Sequence, residues 1–289
     1  TWAAIFGNGH GTKSDGTLLD SVLYVVNVQT GALIQKITLA TATGGLSSPN
    51  YVYRLMTDST GKRNPASVAR IFVGDLAGNM WRLDANNQGT FASAFSSGKT
   101  VNPLFRATDG TKAQPIMVKP MIANHPALSG TYLVYFGTGS YSSYSDLQAP
   151  ALTDLQTFYG IWDHGAGRLK DNNPAPIASR AALEPVLITH EITSPNTQEG
   201  SAVFEARIVE NKGPIDWTQK GGWYIDLRRQ GGPAQGERVV YNPAINAGTL
   251  WFNTLIPDTD PCLSGGSGWT MGLDMYTGGR RNETLGDSR

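Results

Sequence analysis

Short runs of apolar residues alternate with Gly- and Asp-rich breaks along the whole chain, and few runs reach helix length. One segment shows the pattern in full. Ile71-Phe72-Val73 leads into Gly74-Asp75-Leu76-Ala77-Gly78-Asn79, and Met80-Trp81-Arg82-Leu83-Asp84 then resumes an extended course. This reads as strand, tight turn and strand, with Gly74 and Gly78 expected to supply positive φ at the reversal. Only Ser179-Arg180-Ala181-Ala182-Leu183 suits a helical turn or two before Pro185 ends it.

Looser copies of the unit recur. Ala4-Ile5-Phe6-Gly7-Asn8-Gly9 precedes Val22–Val28, and Leu133–Gly139 precedes Phe158-Tyr159-Gly160-Ile161-Trp162-Asp163. Gly222-Trp223-Tyr224-Ile225-Asp226-Leu227 and Trp269-Thr270-Met271-Gly272-Leu273-Asp274 follow. The second strands end at Asn27, Asp84, Asp163, Asp226 and Asp274, a repeat of roughly 50–80 residues, longer than a compact propeller blade and therefore carrying inserted loops. A Gly-rich β-sandwich shares strand–turn–strand units, but a repeated aromatic in the second strand favours blades of a β-propeller. Trp81, Trp162, Trp223 and Trp269 hold similar places in successive units. They are expected to pack between neighbouring blades rather than to form a ring that stacks a planar ligand.

Composition sharpens this picture. The 289 residues include 34 Gly and 16 Pro, and a hydrophobic share of 40% is enough for a sizeable core. The formal net charge is zero and basic blocks are missing, which argues against nucleic acid or anionic lipid as the main partner. No run approaches the roughly 18 apolar residues that cross a bilayer as a helix. The chain opens on Thr1-Trp2-Ala3-Ala4-Ile5-Phe6, already extended, so it is expected to be a piece of a longer, processed or truncated protein. Cys262 is the single cysteine; it is either a buried thiol or paired with a cysteine outside this sequence.

Catalytic patterns are not found. His10, His125, His164 and His190 lie far apart and form no ligand pair of the His-x-x-x-His kind. Gly265-Gly266-Ser267-Gly268-Trp269 fails the nucleophile-elbow pattern at its last position. Gly7-Asn8-Gly9-His10-Gly11 lacks nucleotide-loop spacing and reads as a turn at a sheet edge. Asp75 and Asp84 are expected to accept hydrogen bonds from their own turns.

The ordered set of motifs resembles a known family. Trp2-Ala3-Ala4-Ile5-Phe6-Gly7-Asn8-Gly9, Gly45-Leu46-Ser47-Ser48-Pro49, the Val73–Asp84 segment, Phe136-Gly137-Thr138-Gly139 and Gln156–Asp163 appear in order. Gly221–Leu227, Gly236-Glu237-Arg238-Val239-Val240, Asn253-Thr254-Leu255-Ile256-Pro257 through Cys262, and Gly265-Gly266-Ser267-Gly268-Trp269 complete it. Together they resemble the C-terminal β-propeller domain of the PilC/PilY family, the tip-associated adhesins and biogenesis factors of type IV pili. The resemblance implies an all-β chain holding part, about four to five blades, of a modified seven-bladed β-propeller. Residues 1–289 would be a portion of that domain, truncated on its N-terminal side, with an extended hairpin or loop insertion at about 50–70. It further implies a non-enzymatic protein of the bacterial cell surface and pilus tip, reached through the periplasm and associated with the outer membrane. Pilus biogenesis, surface attachment and twitching motility would be its functions. Its partners would be minor pilins, a host or abiotic surface, and the remaining blades and N-terminal region of the parent protein; no nucleic acid and no membrane span are expected. Two rivals remain on sequence: a quinoprotein-like propeller dehydrogenase, and a carbohydrate-binding or scaffold propeller unrelated to pili.

The resemblance also implies calcium, bound in many members by a loop between the Ser-Ser-Pro and Gly-Asp-Leu motifs. Here that interval, residues 50–70, holds one carboxylate, Asp58, against Arg54, Lys62, Arg63 and Arg70. Calcium takes six to eight oxygen ligands, so the usual motif is absent and Asp58 is left as a weak candidate. No catalytic residue is assigned, and binding residues are not legible.

Overall fold

The computed structural model describes residues 2–57, 63–97, 100–148, 151–168, 173–193, 205–258 and 266–281. Asp58 and Cys262 lie outside them. Among the described residues the structure is all-β apart from two short 3-10 turns, Tyr144–Leu147 and Arg180–Ala182.

Among the described residues, four sheets of three or more strands follow one another along the chain. The first is antiparallel, with strands Ala3–Gly7, Ser21–Asn27 and Leu33–Ala40 side by side. The second is built on a long hairpin, Asn50–Thr57 with Arg63–Gly74, whose second arm pairs with Asn79–Ala85. The third has six strands in the order Met121–Asn124, Tyr132–Gly137, Thr157–Trp162, Gly222–Arg229, Glu184–Thr193, Glu205–Val209. The fourth is Ala244–Asn246, Thr249–Asn253 and Thr270–Asp274.

Two-residue periodicity decides how the sheets pack. Successive side chains of a strand point to opposite faces, so a strand buried on both faces serves two neighbours. In the second sheet Ile71, Val73, Trp81 and Leu83 join Leu23, Val25 and Leu39 of the first. The alternate residues Phe72 and Met80 join the core shared with the third and fourth sheets. In the third sheet Tyr159 meets Phe105 of the second at 5.1 Å, while its neighbour Phe158 stacks on Phe252 of the fourth at 4.0 Å. An aromatic pair of this kind adds about 0.5–1.5 kcal/mol beyond area burial. The sheets therefore stack in series by both faces, which is the packing of propeller blades and not of a two-layer sandwich.

The repeat count needs one correction. The Gly222–Leu227 unit is not a separate blade: Gly222–Arg229 pairs with Thr157–Trp162, with Trp223 opposite Gly160. Trp162 and Trp223 therefore sit in adjacent strands of one sheet. The cause is the long insertion between them. It carries its own hairpin, Glu184–Thr193 with Glu205–Val209, which adds in parallel to the far edge of Gly222–Arg229. The chain thus returns to the sheet it left, and Gly160 gives the Trp223 indole room to lie against its backbone.

The turn glycines divide in the same way. Gly78 has φ of +80°, as a tight reversal requires. Gly74 does not; it is needed because a Cβ there would fall within the Ile116 side chain.

Candidate functional site

The Asp-terminated strands do two different jobs. Asn27 and Asp274 cap their own turns, through the amides of Gln29 and Thr30 and of Tyr276 and Thr277. Asp84, Asp163 and Asp226 instead pair with arginines. Asp163, fully buried, takes Nη1 of Arg70 at 2.7 Å and the Tyr132 amide at 2.8 Å. Arg82, itself buried, is bidentate to Asp84 and donates to the Asp163 carbonyl at 2.8 Å. Burial pushes the Asp163 carboxyl up, against the pull of Arg82 and Arg70. Asp226 holds Nη2 of Arg180 at 2.6 Å, with that guanidinium over the Tyr224 ring at 4.0 Å.

Asp75 goes further than capping. It accepts from the Asn79 amide, as expected for its turn, but also from the Asn79 side chain, the Trp81 indole and the Ser21 hydroxyl. Ser21 belongs to the first sheet, so a buried carboxylate locks two sheets together. Desolvation raises its pKa, and those donors partly offset the shift. The Gln35 amide makes a second link, bonding both N–H and C=O of Phe91.

A third polar assembly supports a surface loop. Arg238 is buried, yet its guanidinium meets backbone carbonyls rather than a carboxylate: Gly236, Ser140, Asp146 and Ala151 at 2.6–3.0 Å. Asp146 Oδ2 accepts from the amides of Ser142 and Ser143 and the hydroxyls of Ser140 and Ser143. Burial alone would raise the Asp146 carboxyl, but these bonds bring it below its ordinary value. Residues 140–148 are thus held from below and within, while Tyr141 stays 42% exposed.

Two concavities flank the outer strands of the third sheet. One, of about 410 Å³, lies between Glu205–Val209 and Thr270–Asp274 and is floored by Trp269 and Met271. The other, of about 290 Å³, is lined by Glu191, Arg207, Arg228, Arg229 and Glu237. Arg207 stands between them, over the Trp269 ring at 4.4 Å and paired with Glu191 and Glu237 at 2.7 and 2.5 Å.

The expected tryptophans separate by environment. Trp81, Trp162 and Trp223 are buried in packing, their indole N–H groups bonded to Asp75, Thr131 and the Met275 carbonyl. Trp269 is half-buried at the groove. Two histidines distant in sequence meet here: the His125 ring stacks on Trp162 at 4.4 Å, and His164 lies 5.4 Å from the same indole. Nδ1 of His125 accepts the amides of Ala127 and Leu128, and burial, helped by His164, lowers its pKa to about 4.

Among the described residues, no group of three or more His, Cys, Asp or Glu is placed to hold a metal. The hairpin arms Asn50–Thr57 and Arg63–Gly74 contribute no carboxylate, and Arg70 is engaged with Asp163 and Asp84. These residues do not fit calcium; Asp58 lies outside the described residues. Sequence reading missed the arginine pairs and the Arg238 clamp. The available signal was a lone arginine in an otherwise apolar strand, Arg82 between Trp81 and Leu83.

Residues 1–187 match the family described as the PilY1 beta-propeller domain. Over 99% of its length the chain is 30% identical to the type IV pilus biogenesis factor PilY1 of Pseudomonas aeruginosa, and it spans 25% of that protein. A PilY1 homolog of Xylella fastidiosa is 35% identical over 96% of the chain, which spans 18% of it. The crystal structure of the P. aeruginosa PilY1 C-terminal domain superposes with a TM-score of 0.73 at 28% identity, covering 98% of this chain and 57% of that one. With sheets stacked in series and a family match over more than half its length, the chain belongs to the PilY1 β-propeller family.

Proposed function

We propose that this chain is the propeller portion of a type IV pilus biogenesis factor that works at the pilus tip, outside the cell, without catalysis. It supports assembly of the fibre by docking minor pilins, and it contributes to surface attachment and twitching motility. The observation that carries this reading is the 30% identity to PilY1 along 99% of the chain. The polar groups fit a mechanical role. Asp75 and the Asp163 cluster tie sheet to sheet, and a body cross-linked in this way transmits retraction force with little deformation.

Docking is assigned to rim loops, residues 140–148 above all. Tyr and Ser side chains on a pre-ordered backbone give large contact area at low entropic cost. Co-purification of minor pilins with the intact protein tests this. Tyr141→Ala is expected to lower pilin recovery at unchanged melting temperature. Full recovery with Tyr141→Ala would move docking elsewhere, and no recovery with the unsubstituted protein would contradict the pilus role.

A further inference from the structure

The concavity of about 290 Å³ beside Arg207 has a fixed ionic floor and an unpaired cationic rim. On the floor, Arg207 gives Nη1 and Nη2 to the two carboxylate oxygens of Glu237 and Nε to Oε1 of Glu191 at 2.8 Å. The Arg207 and Glu237 side chains are only 4% and 1% exposed, so this floor is rigid and its guanidinium is balanced by two carboxylates. Arg228 and Arg229, at the end of the strand Gly222–Arg229, form the rim. Both are exposed, and among the described residues neither is paired with a carboxylate. The loop that completes the wall is pinned at both ends. The Gly232 amide donates to the Arg229 carbonyl at 2.9 Å, and Nε of Arg238 donates to the Gly236 carbonyl at 2.8 Å. The cavity is therefore formed before any ligand arrives.

We propose that this pocket binds one acidic sugar, a monocarboxylate ring of the uronic acid kind. Arg228 and Arg229 take its carboxylate; Oε2 of Glu191, which Arg207 does not engage, and the exposed Gln235 amide take its hydroxyls. Charge selects the anion. Two carboxylates against three guanidinium groups leave the lining with a net charge of +1, which one carboxylate neutralises. A phosphate dianion would exceed it and face Glu191 and Glu237. Hydroxyls select a sugar, because they donate and accept at once and so suit a wall where guanidinium donors stand beside carboxylate and amide acceptors. Size limits the occupant to one ring: about 290 Å³ lies at the lower end of small-molecule sites and leaves no space for an extended peptide.

This inference goes beyond pilin docking, and its test is read in solution without pili. D-Glucuronate, D-galacturonate and, as a neutral comparator, D-glucose are titrated into the full gene product at low ionic strength, with binding followed by ligand-detected NMR. At least one acid is expected to bind at least about tenfold more tightly than glucose. Replacing both rim arginines, Arg228→Gln with Arg229→Gln, is expected to weaken that acid by about tenfold or more at unchanged melting temperature. Arg280→Gln, which removes the same charge from the neighbouring groove, is expected to leave binding as it was. Failure of both acids to bind, equal binding of glucose, or binding indifferent to the two rim substitutions would overturn the proposal. Acetate or inorganic phosphate binding as tightly as the acids would mark a simple anion site, and so overturn it too.

Discussion

Arg70 of the second sheet donates to the Asp163 carboxylate of the third at 2.7 Å, beside the Arg82 bond to the Asp163 carbonyl at 2.8 Å. Asp163 is fully buried and Arg82 beside it nearly so. Removing the carboxylate would leave the buried Arg82 and the partly exposed Arg70 with Asp84 as their remaining anion. Asp163→Ala is therefore expected to cost about 3 kcal/mol, read from urea denaturation. A loss below about 1 kcal/mol would show that the pair does not join the sheets.

Gly74 and Gly78 are expected to fail for different reasons. Gly78→Ala forces a side chain into φ of +80° and also sets its Cβ 2.7 and 2.8 Å from the Ala107 and Gln114 carbonyl oxygens, which cannot turn aside, so it costs at least about 1–3 kcal/mol. Gly74→Ala collides with Ile116, so its cost should shrink when Ile116→Ala opens space, a coupling of about 1 kcal/mol or more. Additive effects in the Gly74–Ile116 double-mutant cycle would remove this explanation.

His125 makes stability depend on pH. Its folded pKa is about 4 against an ordinary 6.5. Between those values the unfolded chain takes up a proton that the folded chain refuses. Stability should fall as pH is lowered from about 6.5 towards 4 and be regained above that window. His125→Asn keeps an acceptor for the Ala127 and Leu128 amides and removes this titration, so its denaturation midpoint should vary less between pH 7 and 4.5. An identical pH profile in both proteins would contradict the assignment.

The residue 140–148 loop should loosen in acid. The Asp146 carboxyl lies below its ordinary 3.8 when folded, so its stabilising effect is present above that value and is lost as pH falls through the folded pKa. Asp146→Asn should mimic the acid state at neutral pH. Amide exchange at Ser142 and Ser143 is expected to quicken by about tenfold or more in the variant. Unchanged protection would mean that Arg238 alone holds the loop.

These cases show what a sequence of this kind exposes. Strand–turn–strand repeats and two-sided strands were readable because burial on both faces leaves continuous apolar runs such as Ile71-Phe72-Val73. The merging of Trp162 and Trp223 into one sheet was hidden. Local pattern identifies a strand but not its neighbour, and the insertion between them brings the chain back to the edge it left. The polar assemblies were hidden for a related reason: Asp75 reaches Ser21 across 54 positions and Arg238 reaches Ser140 across 98. Gly74 looked like a turn glycine because packing against Ile116 leaves no mark in its neighbours.

On the proposed reading, this propeller is needed to build the type IV pilus. Removing residues 1–289 in frame from the chromosomal gene, and counting surface pili by electron microscopy with retraction disabled and enabled, tests it most directly. The account predicts few or no pili in the deletion strain and their return on complementation; normal piliation together with normal twitching would contradict it.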